Sequence, residues 1–427
     1  METRTPHAPA REPSGTEPAQ RARRPRCIEI DWLRTIVVFA TIPFHAVPVI
    51  GAQRTVFLVS AESNPLLAVL GGFVLTWGIP LLFLLAGAAT RFALDARSPG
   101  AYVRERLMRL GAPLLLMVFV FAPLQIYFIL LSNPELVTMG QQFGIQISVP
   151  QPERLREIGY FFAQYLTFLV TSVRGYSPAI GSFVLGHLWF VPRLLVISLI
   201  SLPLLLYLRG RGRRVAESIT EAGAHPIVLL FVGGLVPAGL VALLQTGWLS
   251  RVTEGWLFTD DWPNFFLDLV IFLYGYLIYT SVRLRGVVRA QAVPALVLGS
   301  VCGGILIGLV YSGHVPATGY SLASLLFAYV QTLVAWLIAL GLLGLAMRLL
   351  TVSTPVQRYL TDAAFPVFVL HGPLLTISAY YILQVPIPGI VQALLIFAIT
   401  VAGAFGIYEY VVRRTPVTRF LFGAKPP

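Results

Sequence analysis

The chain has 427 residues, of which 56% are hydrophobic and 12% are charged. A soluble protein carries about 25% charged residues, so this composition, with a mean hydropathy of +0.77, excludes an ordinary soluble domain and predicts an integral membrane protein. The net charge of +12 indicates a nucleic-acid partner only in a soluble chain. Because the basic residues here lie between apolar segments, we expect membrane topology to account for them and expect no nucleic acid as a partner.

The residues before the first apolar segment have a different composition. Met1–Arg26 is rich in Pro, Ala, Arg and Glu and contains no apolar run, which is typical of a disordered tail rather than a signal peptide. We therefore predict a disordered cytoplasmic tail at 1–26, a single transmembrane domain at 27–420 and a short cytoplasmic tail at 421–427. Cys27 and Cys302 lie too far apart along the chain to predict a disulfide framework or a metal site.

Ten segments are long and apolar enough to cross a hydrocarbon core of ~30 Å, which takes about 20 helical residues. They are Leu33–Ala52, Leu66–Thr90, Leu110–Leu131, Phe183–Leu208, Pro226–Trp248, Asn264–Val282, Ala292–Ser312, Ser321–Ala346, Ala363–Leu383 and Gly389–Val412. The sequence therefore predicts an all-α polytopic membrane protein with about ten transmembrane helices.

The distribution of basic residues predicts the orientation of these spans. With ten spans, all but six of the 31 Lys and Arg residues fall on the side of the two termini. The six exceptions are Arg54, Arg154, Arg156, Arg174, Arg193 and Arg251. Because cytoplasmic loops collect Lys and Arg, we predict that both termini are cytoplasmic and that the protein lies in the cytoplasmic (inner) membrane.

The longest predicted outer connection, from Ser132 to Ser182, contains one amphipathic segment. Ile158–Val173 is too short to span a bilayer, but Phe161, Tyr165 and Phe168 fall on one helical face. This pattern predicts an interfacial or re-entrant helix in the outer loop.

The first span combines two ionisable residues. Arg34 and His45 are 11 positions apart, which places them on one helical face about 16 Å apart in depth. A histidine near mid-membrane is costly unless it faces a polar cavity or a partner, so it is a candidate functional residue. A packing histidine bonded to a neighbouring span is the alternative, and the spacing alone leaves both open.

The stretch DWLRTIVVFATIPFH, from Asp31 to His45, resembles the first-helix signature of the membrane acyltransferase-3 superfamily. Within that family, IDWLR most resembles the branch that includes the glucan biosynthesis protein C type, which is linked to succinylation of periplasmic glucans. Further motifs follow in the same order: PLLFLLAG from Pro80, RERLMRLGAP from Arg104, GHLWFVPRLL from Gly186, DLVIFLYGYLI from Asp268 and FPVFVLHGPLL from Phe365. Ala86 is one departure, because the family commonly has a serine there.

The resemblance implies transfer of an acyl group, of the acetyl or succinyl class, from cytoplasmic acyl-CoA to a hydroxyl of a carbohydrate or related acceptor at the outer face. Acyl-CoA is then a co-substrate, and we expect no permanently bound cofactor. The family's presumed catalytic histidine corresponds to His45. A neutral imidazole suits the general base that takes the acceptor's proton, while a covalent acyl-histidine relay also stays open.

The same family motifs assign the donor-binding residues. Arg34 is expected to bind the donor phosphates or to stabilise developing charge, because a guanidinium offers a planar fork of donors. Arg106 and Arg109 form an RxxR pair of the kind the family carries and are assigned the same role. The alternative for all three is an ordinary topogenic arginine.

Two further residues are catalytic candidates. His371 lies about 12 Å into the ninth span, near the depth of His45, so it either completes the site or bonds a neighbouring helix. Asp268, near the outer end of the sixth span, is a candidate to orient His45, and helix-end solvation is its alternative.

Three residues are candidates for substrate binding, at the predicted outer start of the fourth span. His187 and Trp189 are placed where aromatic residues commonly mark the membrane interface. Arg193 lies deeper and is expected to contact an anionic acceptor or acyl carboxylate. No HExxH or clustered Cys/His signature is present in the sequence, so we predict no metal site.

A second class of function fits the same composition. A transporter that exports an anionic or lipid-linked substrate would use His45, Arg193 and His371 as pathway residues, and an exporter that also acylates is a third reading. The fixed spacing of Arg34 and His45 favours the enzyme, because a substrate pathway does not require it. The acyl group, the acceptor and the oligomeric state stay open.

Overall fold

The computed structural model describes residues 27–46, 65–132, 154, 157–165, 186–244, 262–317 and 319–424. Every regular element in these ranges is helical, which confirms the all-α prediction for the described part of the chain. The predicted tail at 1–26 lies outside these residues, as does most of the connection from Ser132 to Ser182.

The first half of the bundle contains eight helices besides a short one at 158–165. They are α1 (Ile28–Ala46), α2 (Pro65–Ala96), α3 (Pro99–Leu116), α4 (Ala122–Ser132), α5 (Phe190–Ile200), α6 (Leu202–Arg209), α7 (Arg213–Gly223) and α8 (Gly233–Leu244). A π-helical segment, Met117–Phe121, joins α3 to α4, a second, Val228–Val232, precedes α8, and the 3-10 turn Gly186–Trp189 leads into α5.

The second half continues with seven helices. They are α9 (Trp262–Ile278), α10 (Val282–Ala290), α11 (Ala292–Tyr311), α12 (Leu322–Leu349), α13 (Pro355–Ile382), α14 (Gly389–Ile407) and α15 (Pro416–Leu421). A third π-helical segment, Tyr408–Val412, extends α14. Over its described residues, each of the ten predicted spans coincides with one of these helices or helix pairs.

Among the described residues, six helices are long and apolar enough to cross a membrane. They are Gly71–Ala96, Pro99–Ile129, Ala292–Tyr311, Leu322–Leu349, Pro355–Ile382 and Gly389–Val412. Three bent pairs of consecutive helices raise the number to nine if each pair is one span. The 19 residues of α1 include Glu29, Asp31 and Arg34, which shortens its uncharged part. The protein is therefore a multi-pass membrane protein with six to nine described spans, and the count of ten stays a prediction.

Two of the predicted connections between spans are themselves helical. The axis of α7 turns by 108° from the following helix, and α10 turns by 110° from α9. Ala216 and Thr220, one turn apart on α7, form its buried face, and Glu221 of α7 pairs with Arg283 of α10 at 3.2 Å. The two short helices thus lie across one end of the bundle.

We call this end the arginine-rich end. Five helices place arginines there: Arg34, Arg91, Arg106, Arg109, Arg209 and Arg283. The opposite end is where α2, α5, α9 and α12 begin.

Close glycine contacts set the packing of α2 against α9. A Cβ atom on Gly87 would lie 1.8 Å from the carbonyl oxygen of Phe272, and one on Gly275 would lie 1.9 Å from that of Leu84. Without a hydrophobic driving force between helices in lipid, small residues allow backbones to approach and gain van der Waals contact. The motif glycines of PLLFLLAG and DLVIFLYGYLI therefore serve this helix crossing.

Helices α1 and α13 run side by side in the same direction. Thr35 Oγ1 lies 3.1 Å from Thr361 Oγ1, and ten residues further along both helices His45 meets His371. Ten residues of helix rise about 15 Å, so both histidines lie the same distance from the arginine-rich end. This is the arrangement in depth that the sequence predicts.

The packed domain extends further toward the C-terminus than the predicted boundary at 420. Phe422 is buried, and the Gly423 carbonyl oxygen accepts a hydrogen bond from Arg109 Nε at 3.3 Å. Residues 421–424 are therefore part of the domain rather than a tail, and residues 425–427 lie outside the described chain.

The short helix 158–165 is the described part of the predicted amphipathic segment. Phe161 and Tyr165 are each 4% exposed, so the predicted apolar face packs against protein. The Tyr165 hydroxyl donates to the Val118 carbonyl oxygen at 2.7 Å, which satisfies a carbonyl in a π-helical segment where the regular bonding pattern is broken. Phe168, the third residue of the predicted face, lies outside the described residues.

Candidate functional site

Two histidines from parallel helices form the centre of the site. His371 Nε2 lies 3.2 Å from His45 Nδ1, and His371 Nδ1 lies 2.7 Å from the Phe368 carbonyl oxygen. His371 is fully buried, and the Thr41 backbone also bonds His45. The structure therefore brings the two predicted catalytic histidines into direct contact.

The hydrogen-bond partners determine where the protons lie in the neutral pair. A carbonyl oxygen only accepts, so His371 donates from Nδ1 and its neutral ring carries a lone pair on Nε2. In the tautomer in which His45 donates its Nδ1 proton to that lone pair, the lone pair of a neutral His45 lies on Nε2. This is the tautomer that a general base requires at Nε2.

His187, predicted to lie at the membrane interface, is the third member of this group. It is 4% exposed, its ring centroid lies 4.4 Å from that of His371, and its Nε2 donates to the same Phe368 carbonyl at 2.9 Å. A Cβ atom on Gly372 would lie 2.0 Å from His187 Nδ1. The glycine directly after His371 is thus the sequence signal for this close approach.

The three predicted donor-binding arginines line a single cavity at the arginine-rich end, with a volume of about 120 Å³. Arg34 comes from α1, and Arg106 and Arg109 come from α3. The rest of the wall is mostly apolar, with Ala86, Phe190 and Phe368 among its residues, and it includes one carboxylate, that of Asp362 on α13. We call this space the arginine cavity.

The three arginines differ in how their charge is balanced. Arg34 Nη2 pairs with Asp31 at 2.9 Å, and Arg109 lies 3.8 Å from Glu105. Arg106 donates instead to the neutral Thr90 hydroxyl at 3.0 Å and stacks over the Tyr102 ring at 5.1 Å. Among the described residues Arg106 makes no ion pair, and its buried Nε has no hydrogen-bond partner there. Arg106 is therefore the arginine best able to take an anionic ligand.

Asp268, predicted to orient His45, is paired with Arg193 instead. The Arg193 Nη1 to Asp268 Oδ2 distance is 3.0 Å, and the two side chains are 8% and 2% exposed. The Arg193 guanidinium also lies 4.8 Å from the centre of the Trp189 ring. The sequence could not reveal this pairing, because hydropathy does not specify which helices are neighbours.

Arg193, Asp268 and Trp189 line a second cavity, toward the opposite end of the bundle, with a volume of about 310 Å³. Its other polar lining residues are Thr76, Asn264, Gln331 and Thr332. We call it the amide cavity, after Asn264 and Gln331. Sequence reasoning missed these two amides because each stands alone in an apolar segment.

Helices α2 and α5 contribute residues to both cavities. The histidines lie next to residues that line these cavities. On α5, Phe190 and Leu194 face the arginine cavity, whereas Arg193 faces the amide cavity. None of the three histidines lines either cavity. Phe368 lines the arginine cavity, and its carbonyl oxygen accepts hydrogen bonds from His371 and His187. Trp189, two residues after His187, lines the amide cavity.

The histidines form a hydrogen-bonded and ring-packed group. Within the part of the chain that the structure describes, no set of three or more His, Cys, Asp or Glu side chains is arranged to hold a metal ion.

Comparison with known families gives one result. A family model described as an acyltransferase domain matches residues 28–409, which includes both cavities' helices and all three histidines. No curated protein and no solved structure matches the chain. The match ends before α15, so the contact of Gly423 with Arg109 lies outside the matched region.

Proposed function

This chain belongs to the acyltransferase family, and we propose that this multi-pass membrane acyltransferase moves an acyl group from acyl-CoA to a hydroxyl of a carbohydrate-type acceptor. The donor occupies the arginine-rich end and the acceptor the opposite end. The family assignment favours the enzyme over the transporter that composition alone allows. The contact between His45 and His371, beside Phe368 of the arginine cavity, is the observation that carries the proposal.

The arginine cavity supports a phosphate-bearing donor. Guanidinium groups bind phosphate oxygens through two parallel N–H donors, and Arg106 has a donor nitrogen without a protein partner in the described structure. Arg34 and Arg109 flank it. In this proposal Arg106 takes the principal phosphate contact, and the thioester extends from there toward Phe368.

His45 acts as the general base in the proposed reaction. The acceptor oxygen attacks the thioester carbonyl carbon while Nε2 of His45 takes the hydroxyl proton. The tetrahedral intermediate then expels the CoA thiolate, which receives that proton from His45. His371 accepts the Nδ1 hydrogen bond of His45 and so holds the ring in the required tautomer. An acyl-histidine intermediate would use the same Nε2 lone pair as a nucleophile.

We propose ten spans with both termini cytoplasmic, in the cytoplasmic membrane. This topology makes the arginine-rich end cytoplasmic, where acyl-CoA is available, and gives the acceptor access from outside. The resemblance of IDWLR to the glucan biosynthesis protein C branch supports an acetyl- or succinyl-class donor and a glucan-type acceptor. Water excluded from the membrane interior would favour transfer over hydrolysis.

The test is release of free thiol from acetyl-CoA and succinyl-CoA by the protein in vesicles, with a glucan oligosaccharide as acceptor. We expect His45→Ala to lower the rate by about 10²–10⁴-fold, the usual contribution of a general base. His314→Ala, which removes an exposed histidine, is the matched control. Equal rates for wild type and His45→Ala would refute the catalytic assignment. Retention of labelled acyl group on quenched wild-type protein would identify the acyl-histidine route.

A further inference from the structure

We infer that the amide cavity is a binding subsite for an uncharged polyhydroxyl unit of the acceptor, and that Arg193 is a charge-balanced wall residue rather than an anion receptor. This inference rests on the proposed function and specifies the acceptor end of it. It replaces the expectation that Arg193 contacts an anionic acceptor or acyl carboxylate.

The charges that line the amide cavity cancel. Arg193 and Asp268 are its charged lining residues, and they are bonded to each other at 3.0 Å with little exposure. A carboxylate or phosphate entering beside this pair would approach the Asp268 carboxylate as well as Arg193. Because like charges repel strongly where water is scarce, the cavity disfavours an anion.

The remaining polar lining suits hydroxyl groups. Gln331 lies about three turns into the apolar helix α12 and is exposed, whereas Thr332, Leu333 and Val334 directly after it are at most 5% exposed. A polar side chain at such a position in a span faces a cavity rather than lipid. An amide both donates and accepts, and so does a sugar hydroxyl, so the two are complementary.

Asn264 and Thr76 extend this neutral surface. Both line the same cavity, and Asn264 is exposed near the start of α9. Trp189 adds an aromatic wall. Neutral donors and acceptors beside an aromatic ring are typical of sites that orient an uncharged polar ligand.

The size of the cavity limits the unit it holds. Small-molecule sites have volumes of about 300–1,000 Å³, and the amide cavity, at about 310 Å³, is at the lower end of that range. We therefore assign it one small polyhydroxyl unit, such as a single sugar residue, while the rest of a longer acceptor stays outside.

The test measures the accessibility and electrostatic potential of the cavity without relying on activity. Gln331→Cys is introduced in vesicle-reconstituted protein whose Cys27 and Cys302 are replaced by Ser. Its labelling rates are measured with a cationic and an anionic methanethiosulfonate reagent. The matched control is Gln384→Cys. Gln384 is exposed and lies two residues after the last residue of α13.

We expect Gln331→Cys to react with both reagents, with a rate ratio within about threefold of the control. Asp268→Asn then removes the negative charge from the cavity lining and raises the relative rate of the anionic reagent about tenfold. A strong preference for the anionic reagent without the Asp268 substitution, an unchanged ratio with it, or no reaction with either reagent would each overturn the inference.

Protection experiments identify the ligand class. We expect methyl glucoside to slow labelling of Gln331→Cys more than glucuronate does at the same concentration, with no effect of either on Gln384→Cys. Protection by glucuronate alone, or by neither sugar, would contradict a neutral polyhydroxyl subsite. If the labelling pattern holds but no thiol is released from acyl-CoA, the proposed reaction fails while the subsite stands.

Discussion

The arginine cavity and the amide cavity share α2 and α5 as walls, but they differ in whether their arginines are paired with carboxylates. In the arginine cavity Arg106 has no ion pair among the described residues, and its buried Nε has no hydrogen-bond partner among them. In the amide cavity Arg193 is bonded to Asp268 and stacked on Trp189. We therefore propose that Arg106 binds a ligand and that Arg193 has a structural role, because their partners differ.

The largest effect is expected on folding stability, when the ion pair between Arg193 and Asp268 is broken. Asp268→Ala removes the carboxylate that is bonded to the buried Arg193, and removing one partner of a buried ion pair costs about 3–5 kcal/mol of folding free energy. The measurement is the thermal unfolding midpoint and folded yield in detergent. An Arg193→Met, Asp268→Leu double variant is expected to recover most of the loss, because neither charge remains. If Asp268→Ala folds as stably as wild type, the pair is not structural.

A smaller and different effect is expected in the arginine cavity. Arg106→Gln removes a charge that makes no ion pair among the described residues, so stability should change little. The KM for acyl-CoA is expected to rise about tenfold, since a hydrogen bond to a charged group contributes about 1.5–3 kcal/mol, while the KM for the acceptor stays constant. Arg104→Gln, an exposed arginine on the same helix, is the control. An equal rise in both KM values would argue against a donor-specific role.

The smallest effect is expected at the C-terminal segment. Gly423 has a φ of +63°, and a Cβ atom there would lie 2.6 Å from the Arg109 carbonyl oxygen. Gly423→Val should displace this segment and disturb Arg109, raising the acyl-CoA KM about threefold, in line with a strain of roughly 1 kcal/mol for a left-handed residue. Gly406→Ala, a helical position with open space around it, is the control. An unchanged KM would show that residues 421–424 do not shape the donor site.

The sequence predicted the helices and the depth of key residues because both depend on local information. Apolar runs of about 20 residues identify spans, and a fixed rise per residue places His45 and His371 at similar depth without knowledge of their contact. The sequence also groups the three arginines of the arginine cavity, because all three lie near the same end of the predicted spans.

Lateral neighbours could not be predicted in the same way. The position of Asp268 near the end of a span makes it a candidate to orient His45 or a solvated helix end, and the structure shows it bonded to Arg193. His187 was placed at the interface because it begins a span, whereas Gly372 admits it to the interior. Asn264 and Gln331 become a site only when α9 and α12 are brought to one cavity. Each miss concerns helix order in the bundle, which hydropathy does not encode.

A double-substitution cycle on His45 and His371 tests most directly whether His371 positions His45 as the base. The measured quantity is kcat for thiol release from acyl-CoA. Residues that act as one unit lose activity non-additively. We therefore expect His45→Ala, His371→Ala and the double variant to be similarly slow. A His371→Ala variant that turns over at the wild-type rate, or single effects that multiply in the double variant, would contradict the account that His371 positions His45 as the base.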